Sequence, residues 1–270
     1  MPENPQQDLQ GISERLEASL QSTCTDFPVF VVAETESTNT DLLRLDYQAN
    51  STFCALLAIN QSGGRGRQGR AWQSDEGSLT FSVRWQFKRS AATLSGLSLA
   101  VAVATLAGLE SLGVNGVAIK WPNDLLIGSG KLGGILLEIG KPLSDGLTHA
   151  VIGIGINIGP LAESSKTDLK AAALLEDLKP EQIHKQRETI LVAILEYLIP
   201  TLIQFDEEGF AAFRQNWMRK AAWLGERVIL STGTKGTLIG VDQDGALLLE
   251  TELCIERFLS GDISLRPAAL

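Results

Sequence analysis

Residues 64–70 read GRGRQGR, three arginines and three glycines in seven positions. Glycines at 63, 64, 66 and 69 let backbone N–H groups approach an anion closely, while Arg65, Arg67 and Arg70 offer forked donors to phosphate or carboxylate oxygens. A mononucleotide phosphate suits such a stretch. A solvated basic loop and a nucleic-acid patch are the alternatives. The patch is the weaker one, because the chain carries a net charge of −9 and a pI near 4.9 and has little further basic surface around the loop. Any anion is therefore bound locally.

A second group is KWPND, which places Lys120, Asn123 and Asp124 at a strand end beside a turn-fixing proline, where ligand contacts are commonly presented. A plain Pro-Asn-Asp turn is the competing reading. In GKLGGILLE, Lys131 precedes a glycine pair and an apolar run, so its ammonium can be held close to a ligand. GSGK is not a phosphate-binding P-loop, since Leu125 stands where that spacing needs glycine and Leu132 where it needs Ser or Thr. GIGINIG, spaced GxGxxxG with alternating isoleucines, reads as strand and not as a dinucleotide fingerprint. Cys24, Cys54 and Cys254 form no CxxC pair, so neither a disulfide framework nor a zinc site is expected and a reducing cytoplasm fits. His149 and His184 stand apart from any ligand spacing and read as structural or surface residues.

These residues need a scaffold. FPVFVVAE, FCALLAINQ, GSLTFSVRWQF, GVAIKWPNDLLI, GKLGGILLEIG and HAVIGIGINIG read as strands, the second delivering the chain into the Arg/Gly loop. Ser37, Thr38 or Asn39 caps a helix that starts near Thr40. Residues 94–112 predict a buried core helix, too interrupted by polar residues for a membrane span, and 168–213 turn helical with a kink or break at Pro200. From Gly225 short strands and the Asp244-Gly245 hairpin signal suggest a small barrel. The expected organisation is a polar leader over 1–28, a catalytic domain over 29–222 and the barrel over 223–270. The first 26 residues lack the apolar core of a signal peptide.

Taken in order, ESTN, GRGRQGRAW, KWPNDLL, KLGGILLE and GIGINI resemble the biotin protein ligases, the biotin-[acetyl-CoA-carboxylase] ligases, from about Val31 to the C-terminus, where GALLLE and SGDISLR continue the likeness. Some members have alanine at the position of Gly133. The resemblance implies an α/β (α+β) fold, a mixed sheet flanked by helices like that of class II aminoacyl-tRNA synthetases, followed by an SH3-like barrel. It implies that the biotin carboxylate attacks the α-phosphorus of ATP to give biotinyl-5'-AMP, and that a lysine of the biotin carboxyl carrier protein of acetyl-CoA carboxylase then takes the biotin and releases AMP. About 30 residues precede the matching region, so the monofunctional kind without a DNA-binding module is expected.

By the same resemblance Lys131, Arg67 and Asp124 are catalytic. Biotin would meet Ser37, Thr38, Asn39, Gln61, Gly64, Arg65, Arg67, Lys131, Gly134, Gly153 and Gly155. The nucleotide would meet Arg67, Arg70, Trp72, Lys120, Asn123, Asp124 and Asn157, with Asp124 a candidate for Mg²⁺ or for the acceptor lysine's proton. ATP and Mg²⁺ enter as co-substrate and metal, with no tightly bound metal. A homodimer is compatible, and neither DNA nor a membrane is an expected partner. Residues 159–170 would order over the nucleotide. Apart from the family likeness, helix capping accounts for Ser37 and Thr38 and close strand packing for the glycines. A lipoate protein ligase and a non-catalytic biotin or nucleotide sensor are the alternatives.

Overall fold

The computed structural model describes residues 5–45, 53–75, 77–140, 147–159, 171–175, 180–260 and 263–268. The main sheet contains β1 (Val29–Thr35), β2 (Cys54–Gln61), β3 (Ser78–Phe87), β4 (Val117–Lys120), β5 (Asp124–Ile127), β6 (Gly130–Ile139) and β7 (Thr148–Asn157). Its order is β1-β2-β3-β7-β6-β5-β4. β1 and β2 run parallel and every other neighbouring pair antiparallel, so the sheet is mixed as expected.

Alternation decides which face does what. Along β3, Leu79, Phe81, Val83, Trp85 and Phe87 enter the main core, while Thr80, Ser82 and Arg84 are buried on the other face. On β7 the isoleucines at 152, 154 and 156 take the core side, which leaves Gly153 and Gly155 on the opposite side. The core face is covered by α3 (Leu97–Ser111) and α4 (Pro180–Glu208). The two helices approach closely at Gly108, where an added Cβ would lie 2.6 Å from the Ala193 carbonyl oxygen. On the other face α2 (Thr38–Arg44) begins at Ser37, whose hydroxyl accepts from the Thr40 N–H as the cap pattern predicts.

The helical pattern over 168–213 needs two corrections. Residues 171–175 are extended: the Ala172 N–H donates to the Lys131 carbonyl and the Leu174 N–H to that of Asn157. α4 starts at Pro180 and runs through Pro200 without a break. Pro200 lies on the exposed face of the helix, and its ring leaves the Glu196 carbonyl without its helical donor. Residues 160–170, expected to order over a nucleotide, lie outside the described residues.

The leader segment holds α1 (Pro5–Leu20), whose Leu16 and Leu20 are fully buried in the main core. Each such leucine contributes about 1.5–3 kcal/mol of burial before the entropy of ordering is counted. Arg15 pairs with Glu188 on α4. After α5 (Arg214–Lys220) the chain forms a five-stranded antiparallel sheet, order β11-β10-β9-β8-β12. Its strands are β8 (Arg227–Leu230), β9 (Lys235–Val241), β10 (Leu247–Glu250), β11 (Ile255–Phe258) and β12 (Leu265–Pro267). Trp121 Nε1 donates to the Gly245 carbonyl at 3.1 Å and Ser95 Oγ to that of Asp244 at 2.8 Å, so the β9–β10 turn sits against KWPND.

Candidate active site

One register row crosses five strands on the face opposite the core: Thr80, Gly155, Gly134, Asp124 and Lys120 pair in succession. Residues paired across antiparallel strands point to the same side. The two central glycines therefore make a floor without side chains, flanked by a threonine at one end and an ion pair at the other. Trp72 lies on that floor: an added Cβ at Gly155 would stand 2.4 Å from Trp72 Cε2. Gly153, one row over, faces Asn39, whose Oδ1 would be 2.4 Å from an added Cβ.

Lys131 reaches this face through a bulge. Leu125 pairs with Gly133 and Leu126 with Lys131, so Leu132 is an extra residue on β6. Without it Lys131 would share the core-facing side of Gly133. The insertion switches the alternation and aims its ammonium across the floor. Lys131 Nζ lies 2.6 Å from Asp124 Oδ1, Lys120 Nζ lies 3.0 Å from Oδ2, and Lys131 stands 5.8 Å from the Trp72 ring centroid. Burial pushes the Asp124 carboxyl up, but the charges and hydrogen bonds of Lys131 and Lys120 outweigh it and hold the group below its usual value.

The Arg/Gly stretch is a closed hairpin. Arg65 bridges to Ala71, the Gly66 N–H donates to the Arg70 carbonyl at 2.7 Å, and the Trp72 N–H donates to that of Gly64 at 2.8 Å. Gly69 turns the tip at φ 69°, in the left-handed region. Arg67 Nη1 donates to Asn123 Oδ1 at 3.3 Å and its Nη2 to the Ser260 carbonyl, tying the tip to both KWPND and the small sheet. Arg65 Nη2 donates to Thr40 Oγ1 at 2.8 Å and lies 3.4 Å from Glu138. Arg70 donates to Gln68 at 2.7 Å.

The far end is neutral. The Thr38 N–H donates to Gln61 Oε1 at 3.0 Å, Thr38 Oγ1 lies 2.6 Å from Ser82 Oγ, and Ser82 donates to Asn39 Oδ1 at 2.5 Å. Asn39 Nδ2 donates to Glu138 at 2.8 Å.

These groups surround one cavity of about 400 Å³. Ser37, Thr38, Asn39, Gln61, Arg65, Arg67, Arg70, Trp72, Lys120, Asn123, Asp124, Lys131, Gly134, Gly153, Gly155 and Asn157 all line it, so the structure brings the sequence candidates together. Gly64 does not line it. It stands behind, where an added Cβ would be 2.5 Å from the Trp72 carbonyl oxygen. Asn157 gives its NH₂ to the Lys131 and Ala172 carbonyls at 3.2 and 3.0 Å, so it also clamps the backbone beside Lys131. Among the described residues, six basic side chains, Arg65, Arg67, Arg70, Lys120, Lys131 and Arg266, line the cavity with one carboxylate, Asp124. A chain of net charge −9 thus holds a local surplus of positive charge.

Sequence reasoning missed three things. Ser231, Ser264, Leu265 and Arg266 of the small sheet line the cavity, although SGDISLR carried a family signal without a stated chemistry. Ser82 and Glu138 hold cavity residues from outside it, with no signal beyond a polar residue within a strand. Trp72 Nε1 is buried with no acceptor among the described residues. A metal held by protein at Asp124 does not fit this donor set. Both carboxylate oxygens meet ammonium groups, and no three His, Cys, Asp or Glu side chains converge among the described residues.

Comparison with known proteins supplies the context. Residues 31–157 match the Biotin/lipoate A/B protein ligase family and residues 224–266 the Biotin protein ligase C terminal domain. The chain is 34% identical to the bifunctional ligase/repressor BirA of Escherichia coli over 245 residues, covering 89% of this chain and 74% of that protein. It is also 34% identical to the biotin-[acetyl-CoA-carboxylase] ligase of Paracoccus denitrificans over 225 residues, 81% of this chain and 92% of that one. Among solved structures, the biotin protein ligase from Aquifex aeolicus in complex with biotin and ATP superposes with a TM-score of 0.74 at 30% identity, covering 89% of this chain and 99% of that chain.

Proposed function

This chain belongs to the biotin protein ligase family, and from that premise we propose that it activates biotin with ATP and transfers it to a lysine of the biotin carboxyl carrier protein of acetyl-CoA carboxylase. The observation that carries the reading is a cavity with a neutral hydrogen-bonding end at Thr38, Asn39 and Gln61 and a cationic end at Lys131, Lys120, Arg67 and Arg70. A mostly apolar substrate with a polar head and a carboxylate tail fits one end. A polyanion fits the other.

In the first step a biotin carboxylate oxygen attacks the α-phosphorus of ATP, the bond from that phosphorus to the bridging oxygen breaks, and pyrophosphate leaves. Two anions meet, so the step needs charge neutralisation and alignment. Lys131 stabilises the charge on the reacting phosphoryl and acyl oxygens. Its place across the floor from Trp72 supports that role. Arg67 and Arg70 receive phosphate oxygens, and Trp72 packs beside the adenylate. In the second step the neutral acceptor amine attacks the acyl carbon, the bond to the phosphate oxygen breaks, AMP leaves, and the proton released from the nitrogen passes to the departing phosphate or to solvent. Asp124 suits the positioning of Lys120 and Lys131 better than proton acceptance, since a carboxyl held below its usual value is a poor base. Mg²⁺ enters with the nucleotide phosphates as part of the substrate.

The reading includes a cytoplasmic setting and no DNA partner. The acidic charge and the docking of α1 on the core support the latter. The test is to incubate the protein with Mg-ATP and either biotin or lipoate, without acceptor, and identify the bound nucleotide by mass spectrometry. Biotinyl-AMP from biotin alone is expected. Lipoyl-AMP would move the chain to the lipoate branch, and no adenylate despite biotin binding would make it a sensor.

A further inference from the structure

Ser82 is completely buried on β3 and does not line the cavity, yet its hydroxyl lies between two residues that do. The direction of every hydrogen bond in this chain can be worked out from its ends. Asn39 faces the Glu138 carboxylate at 2.8 Å and the Leu136 carbonyl at 3.4 Å, and both of these accept. Its NH₂ therefore points that way and its Oδ1 points at Ser82. Because Oδ1 cannot donate, the one hydrogen of Ser82 goes to it. At the 2.6 Å contact Ser82 must then accept from Thr38.

Thr38 has now used its only hydroxyl hydrogen, and its 3.2 Å approach to Gln61 Oε1 carries none. What Thr38 Oγ1 presents to the cavity is lone pairs. Gln61 is set in the opposite sense: its Oε1 accepts the Thr38 backbone N–H, which turns its NH₂ toward the Gly64 side, 2.6 Å from an added Cβ there. The neutral end thus offers an acceptor at Thr38, while the Gln61 amide is turned away from it.

We infer that Ser82 and Glu138 are positioning residues that fix Thr38 as an acceptor, Ser82 directly and Glu138 through Asn39, so that the pocket selects a head group carrying an N–H donor. A cyclic urea carries one. A dithiolane ring carries none, and a site built for hydrogen bonds rejects a ligand that leaves them unmade. The inference rests on the biotin reading and adds the source of its selectivity.

The experiment is a double-mutant cycle on biotin binding by calorimetry, with the full chain as wild type, Ser82→Ala, Thr38→Val and the double variant. Each single change is expected to weaken biotin about tenfold, the scale of one buried hydrogen bond. If Ser82 acts through Thr38, the double variant binds no more weakly than Thr38→Val, and ATP affinity stays within about twofold, well under the scale of a lost hydrogen bond. Multiplicative losses, or biotin binding by Ser82→Ala equal to that of wild type, would overturn the inference. Glu138→Leu provides an independent readout should Ser82→Ala fail to fold. Its preference for biotin over biotin methylated on the ureido nitrogens should fall, and an unchanged preference would refute the assigned polarity. Wild type that binds lipoate and not biotin would instead remove the functional reading itself.

Discussion

The two ends of the cavity are built on different physics. At the neutral end Thr38, Asn39 and Ser82 are at most 4% exposed, and their hydroxyl and amide groups are joined in one directed chain. At the other end Lys120 and Lys131 hold the Asp124 carboxylate, and Arg67, Arg70 and Arg266 line the cavity as well. A chain of fixed neutral dipoles discriminates between ligands, because a mismatched head group leaves buried groups unpaired. A surplus of charge does little to discriminate but strengthens as negative charge develops. Under the proposed function, biotin selectivity belongs to the first end and rate to the second. Asp124 keeps the cationic end assembled by pairing with the ammonium groups of Lys120 and Lys131.

The sharpest way to break this division is Lys131→Met. Adenylate formation in a single turnover should fall about 10²- to 10³-fold, the scale of removing one preorganised charge-stabilising donor, while biotin affinity changes only a few-fold. Equal losses in both would mean that the ends are not separable. Next in size, Gly155→Ala forces Trp72 off the floor that both ends share. A displacement of about 1 Å costs on the order of 10² in rate, and both the adenylation assay and the near-ultraviolet circular dichroism should register it.

Asp124→Asn sharpens the cationic end. Adenylation should drop about tenfold, as expected when buried charges lose their partner. The folded carboxyl lies below its usual value, so its contribution to stability is fully present above the unfolded pKa of about 3.9 and is lost as pH falls through the folded pKa. The melting-temperature advantage of wild type over Asp124→Asn should be constant from neutral pH down to that range and shrink below it. The smallest effect is expected from Trp121→Phe, which removes the bond to the Gly245 carbonyl. Stability should fall by about 1 kcal/mol in chemical denaturation, with adenylation reduced by less than about threefold.

Much of the site was legible because charged residues and glycines at strand ends announce themselves. GRGRQGR, KWPND and GKLGG each stood out by composition, and the structure draws them to one cavity. The strands were legible through alternation. α1 was not, because its few apolar positions are spread through a polar stretch that reads as a leader until Leu16 and Leu20 meet the core. Pro200 misled because a proline's cost depends on whether water can reach the carbonyl it strands.

By itself the sequence determined the donor and acceptor inventory, and the alternation that sends the isoleucines of β7 to the core and Gly153 and Gly155 to the site. Local residue types and a period of two suffice for that. Only the tertiary structure decided that Thr80, Gly155, Gly134, Asp124 and Lys120 share one row, that the bulge at Leu132 turns Lys131 toward them, and that Thr38, Ser82, Asn39 and Glu138 join in one line of contacts. Register, bulges and the direction of a hydrogen-bond chain depend on partners distant in sequence, and each is settled only when those partners meet.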